Sequence, residues 1–182
     1  MNTLSQHYYN IINYDILIRL KLNNIFKISK LNKITLNIGL KNSNMEKKKM
    51  ISIILLLKLI INQSIFNIKS KKNNIVFKIK KGDIIGCKVT LKKKIMYNFL
   101  EKLIFFILPN IKNFEGILIS IKNINNLNFK IKNILNFFEL EKEFLKFQKL
   151  PQIDITINTN NTYFNSLYIF LNQLNIPLKI KE

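Results

Sequence analysis

The apolar residues occur in short runs whose spacing changes along the chain, and this pattern limits the fold more than any other feature. From residue 4 to 22, apolar side chains recur at helical spacing. From Ile34 to Gly39, apolar and polar residues alternate as in a half-buried strand, and residues 46–62 return to a helical pattern. A chain that switches between these two periods predicts an α+β fold.

Residues 65–91 predict a module of short strands and polar loops. Its predicted strands are Phe66–Ile68, Val76–Ile79 and Ile85–Leu91, joined by the polar links Lys69–Asn74 and Lys80–Asp83. Lysines occupy six of the 13 positions from Lys69 to Lys81, and burying them without anions would be costly. We therefore expect a basic loop, over about residues 69–86, that projects from the domain.

The C-terminal half continues the alternation of helices and strands. Helices are predicted over residues 94–108, where Pro109 ends the pattern, and over residues 162–174. Strands are predicted over Phe129–Ile131 and Gln152–Asn158. Residues 134–150 show no readable period. The expectation is one two-layer α+β domain over residues 1–182, with a mixed or antiparallel sheet, helices packed on one face, and the other face free for a ligand.

The charge of the chain calls for an anionic partner. The 30 basic and 10 acidic residues give a formal charge of +20, which destabilises a compact state unless a polyanion neutralises it. A nucleic acid or an anionic membrane would do so. Because Arg19 is the only arginine, nearly all the charge is lysine, which suits contact with phosphate better than bidentate contact with base edges.

The composition indicates an AT-rich coding sequence. Alanine and tryptophan are absent, whereas lysine, isoleucine, asparagine and phenylalanine, whose codons are AT-rich, are abundant. Since organellar DNA commonly has this bias, we expect an organelle-encoded protein, in the mitochondrion rather than a plastid. The first 24 residues show no Arg-rich presequence, and the apolar runs Ile53–Ile61 and Leu103–Pro109 are shorter than the ~20 residues that span a bilayer, so no membrane span is predicted.

The candidate catalytic and metal-binding side chains form no recognisable site. Cys87 and His7 are the only cysteine and histidine, so no disulfide or Cys/His metal site can form within the chain. We interpret Cys87 as a small buried side chain rather than a nucleophile. Asp154 with Glu139 or Glu141 lacks the spacing of paired catalytic or metal-binding carboxylates. The chain is predicted to be no enzyme and to need no cofactor and no metal.

Four blocks of the sequence resemble a known family. The stretch from Phe77 to Leu91, Phe-Lys-Ile-Lys-Lys-Gly-Asp-Ile-Ile-Gly-Cys-Lys-Val-Thr-Leu, is similar to the central motif of the ribosomal L5 family of the large subunit. Three further blocks lie in the family's order along the chain and at roughly its spacing: Lys33–Gly39, Pro109–Gly116 and Asp154–Ile157. From the first to the last, these blocks span residues 33–157, which is most of the chain.

This resemblance implies a protein of the central protuberance of a large ribosomal subunit. Its implied partners are large-subunit rRNA, 5S rRNA where the ribosome has one, peptidyl-site tRNA, neighbouring ribosomal proteins and a protein of the small-subunit head. The chain departs from the family at Val76, where glycine is frequent, at Ile84, where proline is frequent, and at Glu115, where a basic residue is frequent. The first two leave the geometry of the loop tip open, and Glu115 opposes a phosphate contact at its position.

The candidate RNA-binding residues are mainly lysines of the basic loop and of its flanking strands. They are Lys33, Asn37, Lys69, Lys71, Lys72, Phe77, Lys78, Lys80, Lys81, Lys88 and Lys92. Because the chain is rich in lysine, the alternative interpretation of each lysine is a solvated surface residue that contacts no RNA. The alternative interpretation of Asn37 is a turn-forming residue. Phe77 could stack on an unpaired nucleotide, because it lies among basic residues.

Two further interpretations concern apolar side chains. Phe99, Phe105 and Phe106 have spacings that suit core packing. The competing function is a lysine-rich peripheral membrane protein, which would need a helix that separates lysine from apolar side chains. Residues 53–61 are instead apolar nearly all round, which suits burial in protein. A nucleic-acid enzyme, the third option, would need an acidic metal cluster.

Overall fold

The fold is taken from a computed structural model of the 182-residue chain. The structure describes residues 3–40, 47–120, 125–143, 147, 150–161 and 164–181. These residues form two compact units. Unit 1 comprises Met1–Ile34, Leu91–Phe129 and Thr156–Glu182, and unit 2 comprises Thr35–Thr90 and Lys130–Ile155.

Seven strands form two sheets in the described part of the chain. They are β1 (Lys30–Gly39), β2 (Phe66–Lys69), β3 (Ile84–Leu91), β4 (Ile117–Ser120), β5 (Asn126–Ile131), β6 (Ile153–Asn160) and β7 (Leu178–Lys181). The five-stranded antiparallel sheet has the order β2-β3-β1-β6-β5, and β4 pairs with β7 in parallel. Buried and half-buried positions alternate from Ile34 to Ile38 in β1 and from Ile153 to Thr159 in β6, so each strand presents one face to the core.

Within the same described ranges, four helices accompany the strands. They are α1 (Thr3–His7, a π-helical turn Tyr8–Ile12, then Asn13–Arg19), α2 (Lys47–Ile61), α3 (Lys93–Lys102 continued by a π-helical turn Leu103–Ile107) and α4 (Phe164–Gln173). Short 3-10 helices lie at Ile25–Lys27, Ile134–Asn136 and Phe138–Glu143. The two-layer α+β class predicted from the sequence is confirmed.

The core of unit 1 is organised around α1. Its buried side chains, Leu4, Tyr8, Ile12 and Ile16, recur every four residues and therefore share one face. The Tyr8 hydroxyl donates a hydrogen bond to the carbonyl of Ser29 at 3.0 Å, which satisfies the polar end of a buried ring. Burial raises the pKa of Tyr8 above its ordinary value, with a smaller contribution from Tyr9.

Helix α3 corrects one prediction about aromatic packing. Phe99 is buried as expected, but Phe105 and Phe106 are exposed, so the core assignment is wrong for these two. The reason is geometric: buried side chains recur every four residues at Phe99, Leu103 and Ile107, and the other two phenylalanines fall between them.

Unit 2 contains helix α2, which corrects a second prediction. Ile53, Leu56, Leu57 and Ile60 are buried, but Leu55 and Leu59 are exposed, so residues 53–61 are not buried all round. A helix packed on one side of a sheet leaves its far face in solvent whatever that face carries.

Several predicted boundaries differ from the structure. No strand forms at Val76–Ile79, because residues 75–78 are a turn closed by a bridge between Asn74 and Ile79. The sequence did not predict β4, β7 or the 3-10 helix at Ile25–Lys27. The 134–150 stretch contains two 3-10 helices, with residues 144–146 and 148–149 outside the described part. The predicted start of the last helix, residues 162 and 163, also lies outside it.

Candidate nucleic-acid interface

The predicted basic loop connects strands β2 and β3 as the extension of a hairpin. Phe66 pairs with Lys88, Asn67 with Cys87, and Ile68 with Gly86, and the register then shifts so that Lys69 pairs with Ile84. Beyond that pair, Ser70 N–H donates to the Asp83 carbonyl at 2.8 Å and Gly82 N–H donates to the Ser70 carbonyl at 3.0 Å. Residues 69–83 thus form a narrow two-armed extension, called here the basic ribbon.

The far end of the basic ribbon is a four-residue turn. Asn74 and Ile79 exchange both backbone hydrogen bonds, at 2.8 and 2.9 Å, and Lys78 takes the left-handed conformation with φ 52°. The residues between them cannot continue a ladder, which is why the strand predicted at Val76–Ile79 does not form. Ile75 and Val76 are left 92% and 85% exposed at the tip.

Side chains complete the hydrogen bonding of the basic ribbon. Asn73 Oδ1 accepts from the Lys81 N–H at 2.7 Å and Asp83 Oδ2 accepts from the Lys80 N–H at 2.9 Å. Asn74 Oδ1 accepts from the Phe77 N–H at 3.3 Å. With the backbone bonds, every N–H from Phe77 to Asp83 has an acceptor within the ribbon. Contacts between this returning arm and an anion must therefore come from side chains.

Two glycines of the predicted motif, Gly82 and Gly86, are needed for different structural reasons. Gly82 has φ 93°, a left-handed conformation that side chains disfavour, and it lies where the ribbon returns toward β3. Gly86 is instead required by a close approach, because a Cβ there would lie 2.7 Å from the Ile38 carbonyl oxygen of β1.

The structure brings together seven of the eleven candidate residues. The lysines and the phenylalanine of the ribbon are all exposed on this one extension: Lys69, Lys71, Lys72, Phe77, Lys78, Lys80 and Lys81. Their charge, opposed within residues 69–83 only by Asp83, makes the ribbon a concentrated cationic surface.

The other four candidates lie on the sheet and its flank. Lys33 and Asn37 lie on one face of β1, and the buried Ile34 and Leu36 lie on the other face. Asn37 is half-buried. Lys88 is exposed on β3, and Lys92 is exposed directly after it. Lys33 and Lys92 belong to unit 1, whereas Asn37 and Lys88 belong to unit 2 with the ribbon.

Cys87 and Asp154, the side chains considered above for catalysis or metal binding, have contacts that suit a structural role. Cys87 is fully buried, as predicted; burial raises its pKa to about 11, and its Sγ donates to Asn67 Oδ1 at 3.3 Å. A thiol with so high a pKa carries almost no thiolate at neutral pH. Asp154 lies 3.7 Å from Lys130 Nζ in an exposed ion pair. Among the described residues no group of three or more His, Cys, Asp or Glu side chains could hold a metal ion.

Glu115, which departs from the family pattern, has its own cation. Its Oε2 accepts a hydrogen bond from Lys179 Nζ at 2.6 Å, and this bond, together with the charge of the lysine, holds the pKa of the carboxyl group below its ordinary value. The ion pair neutralises the negative charge that opposes a phosphate contact at this position.

Asn73, Asn74 and Asp83 were not among the candidate residues. The available signal was their residue type, since Asn and Asp favour turns by hydrogen bonding to nearby backbone. The register that lets Asn73 reach across to Lys81 could not be derived from the sequence.

Comparison with known proteins gives a consistent set of relatives. Residues 84–178 match the model that describes the C-terminus of the ribosomal L5 family. The chain is 37% identical over 179 residues to the large ribosomal subunit protein uL5m of Reclinomonas americana, covering 98% of each chain. It is 32% identical to uL5 of Blochmanniella floridana, over 98% of this chain and 94% of that one. It is 34% identical to uL5 of Wigglesworthia glossinidia brevipalpis, over 94% and 98%.

No helix within the described ranges has both the length and the apolar character needed to cross a bilayer.

Proposed function

Because the chain belongs to the ribosomal L5 family, we propose that it is a structural constituent of the large subunit of a mitochondrial ribosome. The carrying observation is the 37% identity, over 98% of both chains, to a relative named as a mitochondrial large-subunit protein. Since the family is structural, the chain is a structural protein and not an enzyme. The AT-rich composition supports synthesis within the organelle.

Large-subunit rRNA is the proposed principal partner, with the basic ribbon as one contact surface. Exposed lysines on an extension that buries no core of its own are suited to phosphate groups, and the backbone N–H donors of its returning arm are already occupied. Lys33, Asn37, Lys88 and Lys92 are proposed as additional contacts from the sheet and its flank.

The resemblance to the family suggests three finer assignments. They are a place in the central protuberance with 5S rRNA where the ribosome has one, a contact of the ribbon tip with peptidyl-site tRNA, and a contact with a small-subunit head protein. The exposed Ile75, Val76 and Phe77 offer apolar surface at that tip, which can pack against sugar or base faces.

Sedimentation of organelle lysate tests the central proposal. The tagged full-length protein should migrate with the large subunit at low salt, both in whole ribosomes and after the subunits are separated by removing Mg²⁺. Flotation of the same lysate through a density gradient provides the control for the membrane alternative. A protein that ran free of the large subunit, or that floated with membranes after ribosomes were removed, would contradict the proposal.

The salt dependence of rRNA binding tests the proposed mode of contact. If lysine–phosphate contacts dominate, the logarithm of the affinity should fall with the logarithm of salt concentration by about 0.7 to 0.9 per contact. An affinity that hardly changed with salt would mean that apolar or protein contacts carry the interaction.

A further inference from the structure

We propose that Asn73 and Asp83 are positioning residues for RNA binding: they hold the basic ribbon in its binding shape before RNA arrives. This inference rests on the proposed function, because it assumes that the lysines of the ribbon contact RNA. It concerns two residues that touch the backbone of Lys81 and Lys80 and are not themselves counted as RNA contacts.

The ribbon needs such residues because it has no core to order it. From Lys71 to Lys78 every side chain is exposed, and its tip is apolar yet unburied. The order must come from hydrogen bonds, and the backbone supplies only part of them. The N–H groups of Lys80 and Lys81 have no backbone acceptor in the ribbon and depend on Asp83 Oδ2, at 2.9 Å, and Asn73 Oδ1, at 2.7 Å.

Asn73 makes the more consequential of the two bonds. It joins positions eight residues apart, and so ties the outgoing arm of the ribbon to the returning arm between the Asn74–Ile79 pair and the Ser70–Gly82 bond. Without it the two arms are held only at those two levels, and Lys80 and Lys81 gain backbone freedom that binding would have to remove.

Asp83 presents an electrostatic contradiction that this role resolves. A carboxylate among the lysines of a phosphate-binding segment repels phosphate, so on charge alone its presence weakens binding. Its position as the acceptor for Lys80 N–H gives it a conformational benefit that opposes the cost of its charge. The two effects predict opposite results when the carboxylate is removed, which makes them separable.

The experiment compares Asp83→Ala with Asp83→Asn in the full-length chain. Both variants remove one negative charge, but only Asp83→Asn keeps an oxygen that can accept from Lys80 N–H. If Asp83 positions the ribbon, Asp83→Asn should bind a transcript of large-subunit rRNA at least as tightly as the parent, while Asp83→Ala should bind about fivefold more weakly than Asp83→Asn, the effect of one hydrogen bond. Equal gains in both variants would show that only charge matters and would overturn the proposal.

Asn73→Ala provides the charge-neutral arm of the test. It should weaken binding by about fivefold and leave the salt slope unchanged, because the lost bond orders the ribbon without removing a lysine from the complex. Amide exchange at Lys81 should become faster in Asn73→Ala and at Lys80 in Asp83→Ala, while the exchange of core amides in β1 and β3 stays as in the parent. Parent-like affinity in Asn73→Ala would contradict the positioning role.

A lysine variant separates failure of this inference from failure of the proposed function. The combined change Lys71→Ala, Lys72→Ala, Lys78→Ala and Lys80→Ala should reduce both affinity and salt slope. If it binds rRNA as the parent does, the ribbon is no RNA contact and the proposal fails at its premise. If it loses binding while Asn73→Ala binds like the parent and Asp83→Ala binds like Asp83→Asn, the ribbon binds RNA but these two residues do not position it.

Discussion

Replacing Gly86 by alanine should destabilise the fold through one defined contact. An added Cβ would lie 2.7 Å from the Ile38 carbonyl oxygen, about 0.7 Å closer than the shortest ordinary contact of 3.4 Å. The oxygen belongs to the backbone of β1, and the bond from Leu40 N–H to the Ile85 carbonyl at 2.8 Å holds the same strands together beside it. Relief therefore requires the strands to separate rather than a side chain to turn.

The expected cost follows from two opposing contributions. Forcing an extra carbon into a packed region costs about 1–3 kcal/mol, and the upper end applies here because the obstacle is backbone. Alanine restricts the unfolded chain more than glycine does, and this stabilises the folded state by about 0.5–1 kcal/mol. A net loss of about 2 kcal/mol in the free energy of unfolding should result, measured by urea denaturation followed by circular dichroism.

Gly39→Ala is the matched control, on the neighbouring strand β1. A Cβ at Gly39 meets nothing within 4 Å and the residue has no positive φ, so alanine should be neutral or slightly stabilising. If Gly86→Ala were as stable as Gly39→Ala, the close approach of β3 to β1 would not be the reason for the glycine.

Four other perturbations have expected outcomes. The combined alanine variant of Lys71, Lys72, Lys78 and Lys80 should keep the unfolding free energy of the parent and lower the salt slope of rRNA binding by up to about 3 to 4, measured by filter binding. An unchanged slope would contradict lysine–phosphate contact. Tyr8→Phe should cost about 1 kcal/mol in urea denaturation, because the Ser29 carbonyl loses its buried donor; parent-like stability would mean that water replaces the bond. Because burial raises the pKa of Cys87 to about 11, its contribution to stability should be complete below the ordinary thiol pKa of about 9 and be lost as the pH rises through about 11. Cys87→Ala should therefore weaken the fall in stability between about pH 9 and 11, and equal pH profiles would contradict the thiol's burial. If residues 1–182 form one domain, as predicted, calorimetry should show a single thermal transition. Two separated transitions would contradict this prediction.

Local patterns in the sequence were enough to predict most elements of the fold. The alternation in Ile34–Gly39 and the helical spacing in residues 4–22 report burial periods that β1 and α1 follow, since a segment with one apolar face has few ways to bury it. The block from Phe77 to Leu91 indicated both the family and the basic ribbon, because its glycines and lysines occur at set positions in the chain.

Other features depended on contacts between distant residues. The parallel pair β4–β7 joins two four-residue strands about sixty positions apart, and neither is long enough to show a period. Phe105 and Phe106 looked like core residues because their type is apolar, but the packing of α3 decided which face was covered.

The candidate site shows the same division between local chemistry and tertiary geometry. The sequence by itself determined that residues 69–81 carry six lysines and that such a segment stays in solvent, because burying that charge is too costly. Only the tertiary structure decided that the segment is an ordered ribbon, since its order depends on the register between its arms. The pairing of β2 with β3, with its register shift between Ile68 and Lys69, places Asn73 Oδ1 within hydrogen-bond distance of Lys81 N–H. Residue types establish which hydrogen bonds a chain can make, whereas the paired strands bring the particular donor and acceptor to 2.7 Å from each other.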